Sequence, residues 1–198
     1  MSIMRTACTA VTLLSVLMVA GCGSESGSGK TEPSKAPQPH AGTATTPPGY
    51  SRVAAGSVSV AAPSAWTPGT VPAGWSLALE QHQGQNVLAR LGVITDVPQV
   101  TDASLVSLGA FAGIQAYAAQ ARRGPAQKLA VPGAKSAVRV DYTYQNVPAS
   151  GPKQPARGTD VSIVYGNAKA VTVRITGLQT SLTPDVISNI VQGIEVTS

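Results

Sequence analysis

The stretch AVRVDYTYQ, Ala137 to Gln145, carries the clearest alternation of apolar and polar residues in the chain. Val138, Val140, Tyr142 and Tyr144 occupy every second position, and charged or polar residues stand between them. Because successive side chains of a β-strand point to opposite faces of a sheet, this pattern predicts a strand that buries one face.

The sequence on the C-terminal side of this strand predicts a hairpin. Thr159–Tyr165 and Ala170–Thr176 repeat the alternation around Gly166-Asn167, a dipeptide suited to a tight turn. The second of these strands is expected to bury one face and expose the other. Its inward set is Val171, Val173 and Ile175, and its outward set is Thr172, Arg174 and Thr176.

Weaker strand patterns lie on the N-terminal side, at Ser57–Ala61, Trp75–Gln81 and Asn86–Thr95. In the middle segment Trp75, Leu77 and Leu79 alternate with more polar residues, so we expect these three side chains on one face. The remaining signals are a turn at Gly124-Pro125 and a strand pair around Val131-Pro132-Gly133.

A first helix is predicted from Thr101 to Ala121, with Thr101 or Asp102 as its cap. Its apolar residues form two stripes, namely Leu105, Leu108, Ala112, Ala116 and Ala119, and Val106, Ala110, Ile114 and Tyr117. Because serine, glutamine and alanine make this uncharged helix only mildly apolar, we expect it to pack on a sheet rather than span a membrane. Gly109 and Gly113 are expected to let it approach that sheet closely.

A second helix is predicted to begin at Pro184, with Thr183 as its cap, and to end near Gly193. Its apolar stripe is Ile187, Ile190, Val191 and Ile194. A short strand through Val196 is expected to follow. The predicted fold class is therefore α+β, an antiparallel β-sheet flanked by helices.

The N-terminus has the pattern of an export signal. Arg5 supplies a positive charge, and an uncharged, largely apolar run extends from Ala7 to Ala20. This run is shorter than the roughly 20 apolar residues that span a membrane. Val19-Ala20-Gly21-Cys22 resembles the lipobox of bacterial lipoproteins, which implies cleavage before Cys22 and a lipid anchor on its sulfur. We therefore expect a signal peptide over residues 1–21 and a protein held on the extracytoplasmic face of the cell membrane.

The residues after Cys22 have the composition of a tether. From Gly23 to Gly49 there is no Val, Leu, Ile, Met or aromatic residue. Such a segment cannot bury enough apolar surface to offset the entropy lost on ordering. We expect a disordered Pro/Ser/Thr/Gly-rich tether over residues 22–50 and one domain over residues 51–198. Since Cys8 leaves with the signal peptide and Cys22 carries lipid, no disulfide is expected in that domain.

The order of elements is similar to the Mog1/PsbP-like fold, and the chain most resembles the LpqN-type lipoproteins of actinobacteria, which also carry a lipobox and a polar tether. The shared features are Val58–Pro63 followed by Trp66, Gly133-Ala134 before the Val138 strand, and Ile187–Val196. Pro72-Ala73-Gly74-Trp75 offers a second tryptophan for the family position. The resemblance implies a sandwich of antiparallel sheet and helices with a binding or accessory role and no shared catalytic centre.

The residues predict no catalytic, cofactor or metal site. The two histidines are His40, in the tether, and His82, which we expect to be solvated beside a turn. The sequence contains neither a G-x-S-x-G nucleophile motif nor a Gly-rich phosphate loop. The spacing of Asp96 and Asp102 fits no calcium loop. The basic residues are not interleaved with aromatic residues, which argues against nucleic acid as a partner.

The net charge of +5 favours anionic partners such as envelope polymers or lipid headgroups. Asp141 is expected to share a sheet face with Arg139 and Arg174, where a cross-strand ion pair is its simplest role. If that face lines a groove, these three side chains could receive an anion. Arg122 and Arg123 are further candidate contacts for an anion or a protein partner.

Three functions remain open from the sequence. The favoured one is a non-enzymatic binding or accessory module of the cell envelope, anchored through Cys22, with an envelope protein or anionic polymer as its partner. The alternative is a carrier of a small apolar ligand or lipid in a cleft between the first helix and the sheet. The third is a hydrolase that uses Asp141 in an acid pair.

Overall fold

The structure is a computed structural model that describes residues 44–146 and 152–197. The predicted signal peptide, the lipid site at Cys22 and the tether as far as residue 43 lie outside these residues. The described part of the chain is an α+β fold dominated by antiparallel sheets. This confirms the predicted fold class at that level.

The described elements follow one another from Tyr50 to Val196. They are β1 (Tyr50–Ala55), β2 (Val58–Pro63), β3 (Thr67–Pro68), β4 (Trp75–Gln83), β5 (Asn86–Ile94), α1 (Ala103–Tyr117), β6 (Ala119–Leu129), β7 (Ser136–Asn146), β8 (Gln154–Tyr165), β9 (Lys169–Leu178), α2 (Pro184–Gln192) and β10 (Glu195–Val196).

The main sheet has seven strands in the order β3-β4-β5-β9-β8-β7-β6. Strands β6 to β9 form an antiparallel meander, and β9 then pairs with β5 to join the two halves. A smaller sheet has the order β1-β2-β10. The strand predicted from residues 137–145 is β7, which lies inside the main sheet between β6 and β8.

The main sheet is covered on both faces. On the first, which we call the α2 face, Leu91, Val161, Ile163 and Val173 are fully buried in one core with side chains of β2 and α2. Burying each such side chain stabilises the fold by about 1.5–3 kcal/mol. The opposite face, which we call the α1 face, lies under α1, which contacts β6, β7, β8 and β9.

The predicted start of α1 is confirmed, whereas the predicted end is wrong. The side chain of Asp102 caps it by accepting a 2.8 Å hydrogen bond from the backbone N–H of Ser104. Ala118 is already extended, and Gln120 has φ 55°. The chain there pairs with β7, so the predicted turn at Gly124-Pro125 lies inside β6, between two register points at a bulge. An edge strand tolerates proline because its outer N–H groups have no partner strand.

The apolar stripes of α1 are also arranged differently from the prediction. Val106, Phe111 and Ile114 are buried, whereas Leu105 and Leu108 are 58 % and 56 % exposed. The helix therefore packs on the sheet with one narrow side and leaves a second apolar side open. Among the described residues, no helix combines the length and apolar character needed to cross a membrane.

The C-terminal predictions are confirmed. Helix α2 begins at Pro184, and the hydroxyl of Thr183 accepts a hydrogen bond of 3.4 Å from the backbone N–H of Val186. Gly193 ends the helix, and β10 follows it. Ile187, Ile190 and Val191 are buried in the core on the α2 face.

Candidate binding cleft

A cleft runs between α1 and the sheet. It consists of two cavities of about 370 and 450 Å³, and the side chains of Trp75 and Arg174 line both of them. The first cavity reaches along α1, and the second opens between Tyr117, Tyr144 and β5. The larger part of the candidate site is thus built on strands β5 and β9 and on one side of α1.

The first cavity has apolar walls. Its apolar side chains are Trp75, Ile94, Val97, Val100, Leu105 and Val106, together with Pro98. Trp75 reaches it because of a bulge between Trp75 and Leu77, which places the indole against Gly92 on the α1 face. Leu77 and Leu79 belong to the core of the opposite face, so the prediction that all three share one face is wrong.

Two glycines of α1 line this cavity. Gly109 and Gly113 both line it, and a Cβ added at either position would have no heavy atom within 4 Å. The prediction that these glycines allow close helix–sheet contact is therefore wrong. They face the cleft because α1 is tilted onto the sheet through Val106, Phe111 and Ile114 instead.

The floor of the cleft contains a buried ion pair. Arg174 donates from Nε to Oδ1 of Asp160 at 2.9 Å and from Nη2 to Oδ2 at 2.7 Å. The Nη2 group also donates to the backbone oxygen of Ala110 in α1, at 2.6 Å. Burial lowers the pKa of Arg174, but the hydrogen bonds and charge of Asp160 outweigh burial and raise it overall. Arg174 is thus a permanent cation held under the ligand space.

Three tyrosines surround this pair. Tyr142 is buried and donates to Oδ1 of Asp160 at 3.1 Å, and its ring meets Phe111 of α1 edge to face. Burial, reinforced by the charge of Asp160, raises the pKa of Tyr142 well above its ordinary value. Burial raises the pKa of Tyr144 to about 12. Tyr117, 64 % exposed, stands at the mouth of the second cavity.

The outer end of the second cavity carries a second charged cluster. Arg90 lines the cavity and donates from Nε to Oε1 of Glu80 at 2.8 Å. His82 Nε2 lies 3.0 Å from Oε2 of the same carboxylate, which is buried. His82 is exposed, as predicted, but its ring lies beside a buried acid rather than in water alone.

The candidate anion contacts are divided between the two faces. Arg139 donates from Nε to Oδ1 of Asp141 at 3.0 Å on the α2 face, so the predicted ion pair is present. Arg174 does not join them, and the prediction of one shared face is wrong for it. The strand register explains this result. Asp160 pairs with both Val140 and Arg174, so these three side chains lie on the α1 face, opposite to Asp141.

The side chains of Arg122 and Arg123 also point to opposite faces of the sheet, because successive side chains of one strand alternate between its faces. Arg122 lines a groove on the α2 face together with Arg139 and Asp141. Arg123 lies under α1, where its Nη2 group donates to Oγ of Ser107 at 3.3 Å. The two side chains therefore extend toward different surfaces and do not form one basic patch.

The comparisons with known proteins add no identity. No protein-family model matches the chain, and no curated protein matches it in sequence. Within residues 44–146 and 152–197, no three His, Cys, Asp or Glu side chains gather into a cluster that could hold a metal ion.

Proposed function

We propose that this protein is an extracytoplasmic lipoprotein, anchored by lipid on Cys22, whose domain is a binding module for a small apolar or amphiphilic ligand. The anchor is supported by the lipobox-like Val19-Ala20-Gly21-Cys22 after an apolar run. A Mog1/PsbP-like sandwich is part of the same proposal, and its support is the β6–β9 meander that α1 and α2 flank in the expected order.

The observation that carries the binding role is the open space above Gly109 and Gly113. Glycine in a helix interior destabilises a protein by roughly 0.5–1 kcal/mol relative to alanine. No close contact in the structure requires glycine at either position. Both residues face an apolar cavity, so ligand space accounts for their small size.

The lining of the cleft indicates the chemistry of the ligand. An apolar chain or ring fits between Trp75, Val97 and Leu105, where water is a poor neighbour. A polar or acidic head fits toward Arg90 and Tyr144 in the adjoining cavity, next to Arg174. In Arg174 the Nη1 group takes no part in the hydrogen bonds to Asp160 and Ala110. An amphiphile that lies along both cavities would use both kinds of contact.

A binding role rather than a catalytic one is supported by the surroundings of the carboxylates. Asp96 is the one carboxylate among the described residues that lines the first cavity, so no acid pair stands there. Asp160 is held by Arg174, and Glu80 by Arg90. Asp141 accepts hydrogen bonds from Arg139 and from the Thr159 hydroxyl, at 3.0 and 2.6 Å. A carboxylate engaged by fixed donors serves as a structural partner, whereas a hydrolase needs a carboxylate that is free to exchange a proton with its substrate.

The ligand proposal is tested by purifying the full chain from the host membrane and identifying bound lipids by mass spectrometry of the extract. Gly113→Leu places a side chain in the cavity and is expected to abolish a specific lipid signal. Ala116→Leu introduces the same side chain on the same helix at an exposed position that lines neither cavity, and serves as the control. Equal lipid content in both variants and the wild type would contradict the proposal.

The anchor is tested separately. Metabolic labelling with an alkyne fatty acid is expected to label the wild type and leave Cys22→Ala unlabelled. The same substitution is expected to prevent release of the signal peptide, visible as a higher mass. Label on Cys22→Ala would place the lipid elsewhere and overturn the anchor while leaving the ligand test unaffected.

A further inference from the structure

The α2 face carries a second groove, remote from the cleft because the sheet separates the two. It has a volume of about 570 Å³. Arginines from three successive strands line it, namely Arg122 and Arg123 on β6, Arg139 on β7 and Arg157 on β8. Pro184 and Ile187 of α2 form its apolar wall.

The strand register brings these arginines together. Thr143 of β7 pairs with Arg122 on one side and with Arg157 on the other. Adjacent strands are about 4.8 Å apart, so the two arginine backbones lie roughly 10 Å from each other across Thr143. Long side chains from both can therefore reach one ligand between them.

Arg139 approaches the same point from along β7. Its Nε group donates to Oδ1 of Asp141 at 3.0 Å, so the guanidinium leans along its own strand toward Thr143. The hydroxyl of Thr159 donates to the same carboxylate oxygen at 2.6 Å and fixes its position. Asp141 thus acts as a positioning residue for Arg139.

The charge of the groove is unbalanced. Four arginines border it with one carboxylate, that of Asp141, although Arg123 directs its Nη2 group to Ser107 of α1. In addition, the Nε atom of Arg157 is buried and has no hydrogen-bond partner among the described residues. A buried donor without a partner destabilises a fold. Arg157 lines the groove, so this donor lies beside the space that an anion would occupy.

We infer that this groove binds a phosphate group, held by Arg122, Arg139 and Arg157. Guanidinium groups form paired, charge-assisted hydrogen bonds to tetrahedral oxyanions, and three of them match the several oxygens of a phosphate. Pro184, the first residue of α2, also lines the groove, so the positive end of that helix favours the same charge. The site is independent of the apolar ligand in the cleft.

The test is a titration of the full chain in a nonionic maltoside detergent, followed by NMR of the arginine Nε–Hε groups. Inorganic phosphate replaces chloride at constant ionic strength. The Nε–Hε signal that is missing in Arg157→Gln identifies this residue, and it is expected to shift and saturate with phosphate. Arg157→Gln should weaken binding roughly tenfold, read from the signals of Arg122 and Arg139.

Lys169→Gln is the matched control, because it removes the same charge from an exposed position in the β8–β9 hairpin. It should bind phosphate like the wild type. A parallel titration with short-chain phosphatidylglycerol identifies the source of the phosphate. Tighter binding of the lipid indicates a headgroup, and equal or weaker binding indicates a soluble phosphate. A linear, unsaturable shift, or equal binding by Arg157→Gln and Lys169→Gln, would overturn the site.

Discussion

Arg174 and Asp160 face each other directly across strands β9 and β8, and two hydrogen bonds of 2.9 and 2.7 Å join their side chains. Both are nearly inaccessible, at 6 % and 2 % exposure. The two faces of the main sheet differ chemically, and this pair lies on one of them, the α1 face. The α2 face carries an apolar core beside a groove lined by arginines, whereas the α1 face has a charged centre beneath an incompletely packed helix.

Removing one partner of this pair is expected to destabilise the protein strongly. Asp160→Leu leaves the guanidinium of Arg174 buried without its counter-ion, which costs about 3–5 kcal/mol in comparable pairs. Arg174→Met has the corresponding effect on the carboxylate. The double variant loses far less, because no buried charge remains. Urea unfolding of all four proteins measures the coupling, and additive single effects would show that the pair is not energetically linked.

The buried Tyr142 and the half-buried Tyr144 predict a loss of stability in alkali. Burial raises the pKa of Tyr144 to about 12 and that of Tyr142 well above its ordinary value. Above pH 10 the unfolded chain therefore loses phenolic protons that the folded chain retains, so unfolding becomes easier as pH rises. The stabilising contribution of the Tyr144 phenol is fully present below pH 10 and is lost as the pH rises through about 12. This group lowers the free energy of unfolding by no more than about 1.4 kcal/mol per pH unit.

Chemical denaturation at intervals from pH 9 to pH 12 checks this prediction. Tyr144→Phe removes one ionisable phenol and should flatten the decline in the free energy of unfolding. A wild type whose stability is unchanged up to pH 12 would contradict the assigned burial of these phenols.

Much of the fold could be predicted because several elements carry redundant local signals. In α2 the cap Thr183, the first-turn proline and the apolar stripe agree, and the element was located correctly. In β7 the alternation of residues 137–145 spans nearly the whole strand. Such agreement between local preference and tertiary position is what makes a segment recognisable from sequence alone.

The candidate sites were harder to predict because they depend on register. The β8–β9 loop is longer than the Gly166-Asn167 dipeptide, since Tyr165 pairs with Lys169 and Ala168 also adopts a positive φ of 58°. This places Asp160 opposite Arg174, whereas a two-residue loop would not. A register change of one residue exchanges the faces of a strand, so the buried ion pair could not be found by periodicity.

The end of α1 shows a second reason. Residues from Ala119 to Ala121 continue the helical composition, yet they form the beginning of β6 because pairing with β7 is available. A long-range strand pairing has overridden a local preference for helix, as tertiary context often does.

Replacing the cleft glycines by alanine is expected to stabilise the protein. A Cβ at Gly109 or Gly113 meets no atom within 4 Å, and each lies inside α1. Each substitution should therefore raise the free energy of unfolding by roughly 0.5–1 kcal/mol, as helix propensity predicts. Thermal unfolding of the single and double variants measures the effect. A destabilised Gly113→Ala would mean that the helix packs more tightly there than the open cavity indicates.

Gly92→Ala is expected to have the opposite effect, because its Cβ would collide with the indole ring of Trp75. Gly92 lies inside β5, near its C-terminal end, where the ring covers it on the α1 face. Displacing the indole strains the cavity wall, and overpacking of this kind costs about 1–3 kcal/mol. Trp75→Ala removes the obstacle, so in that background Gly92→Ala should have little effect on urea unfolding. Equal destabilisation by Gly92→Ala with and without the indole would contradict this prediction. It would mean that the backbone, rather than Trp75, requires glycine at this position, and that the ring does not occupy the place in the cleft wall that the structure gives it.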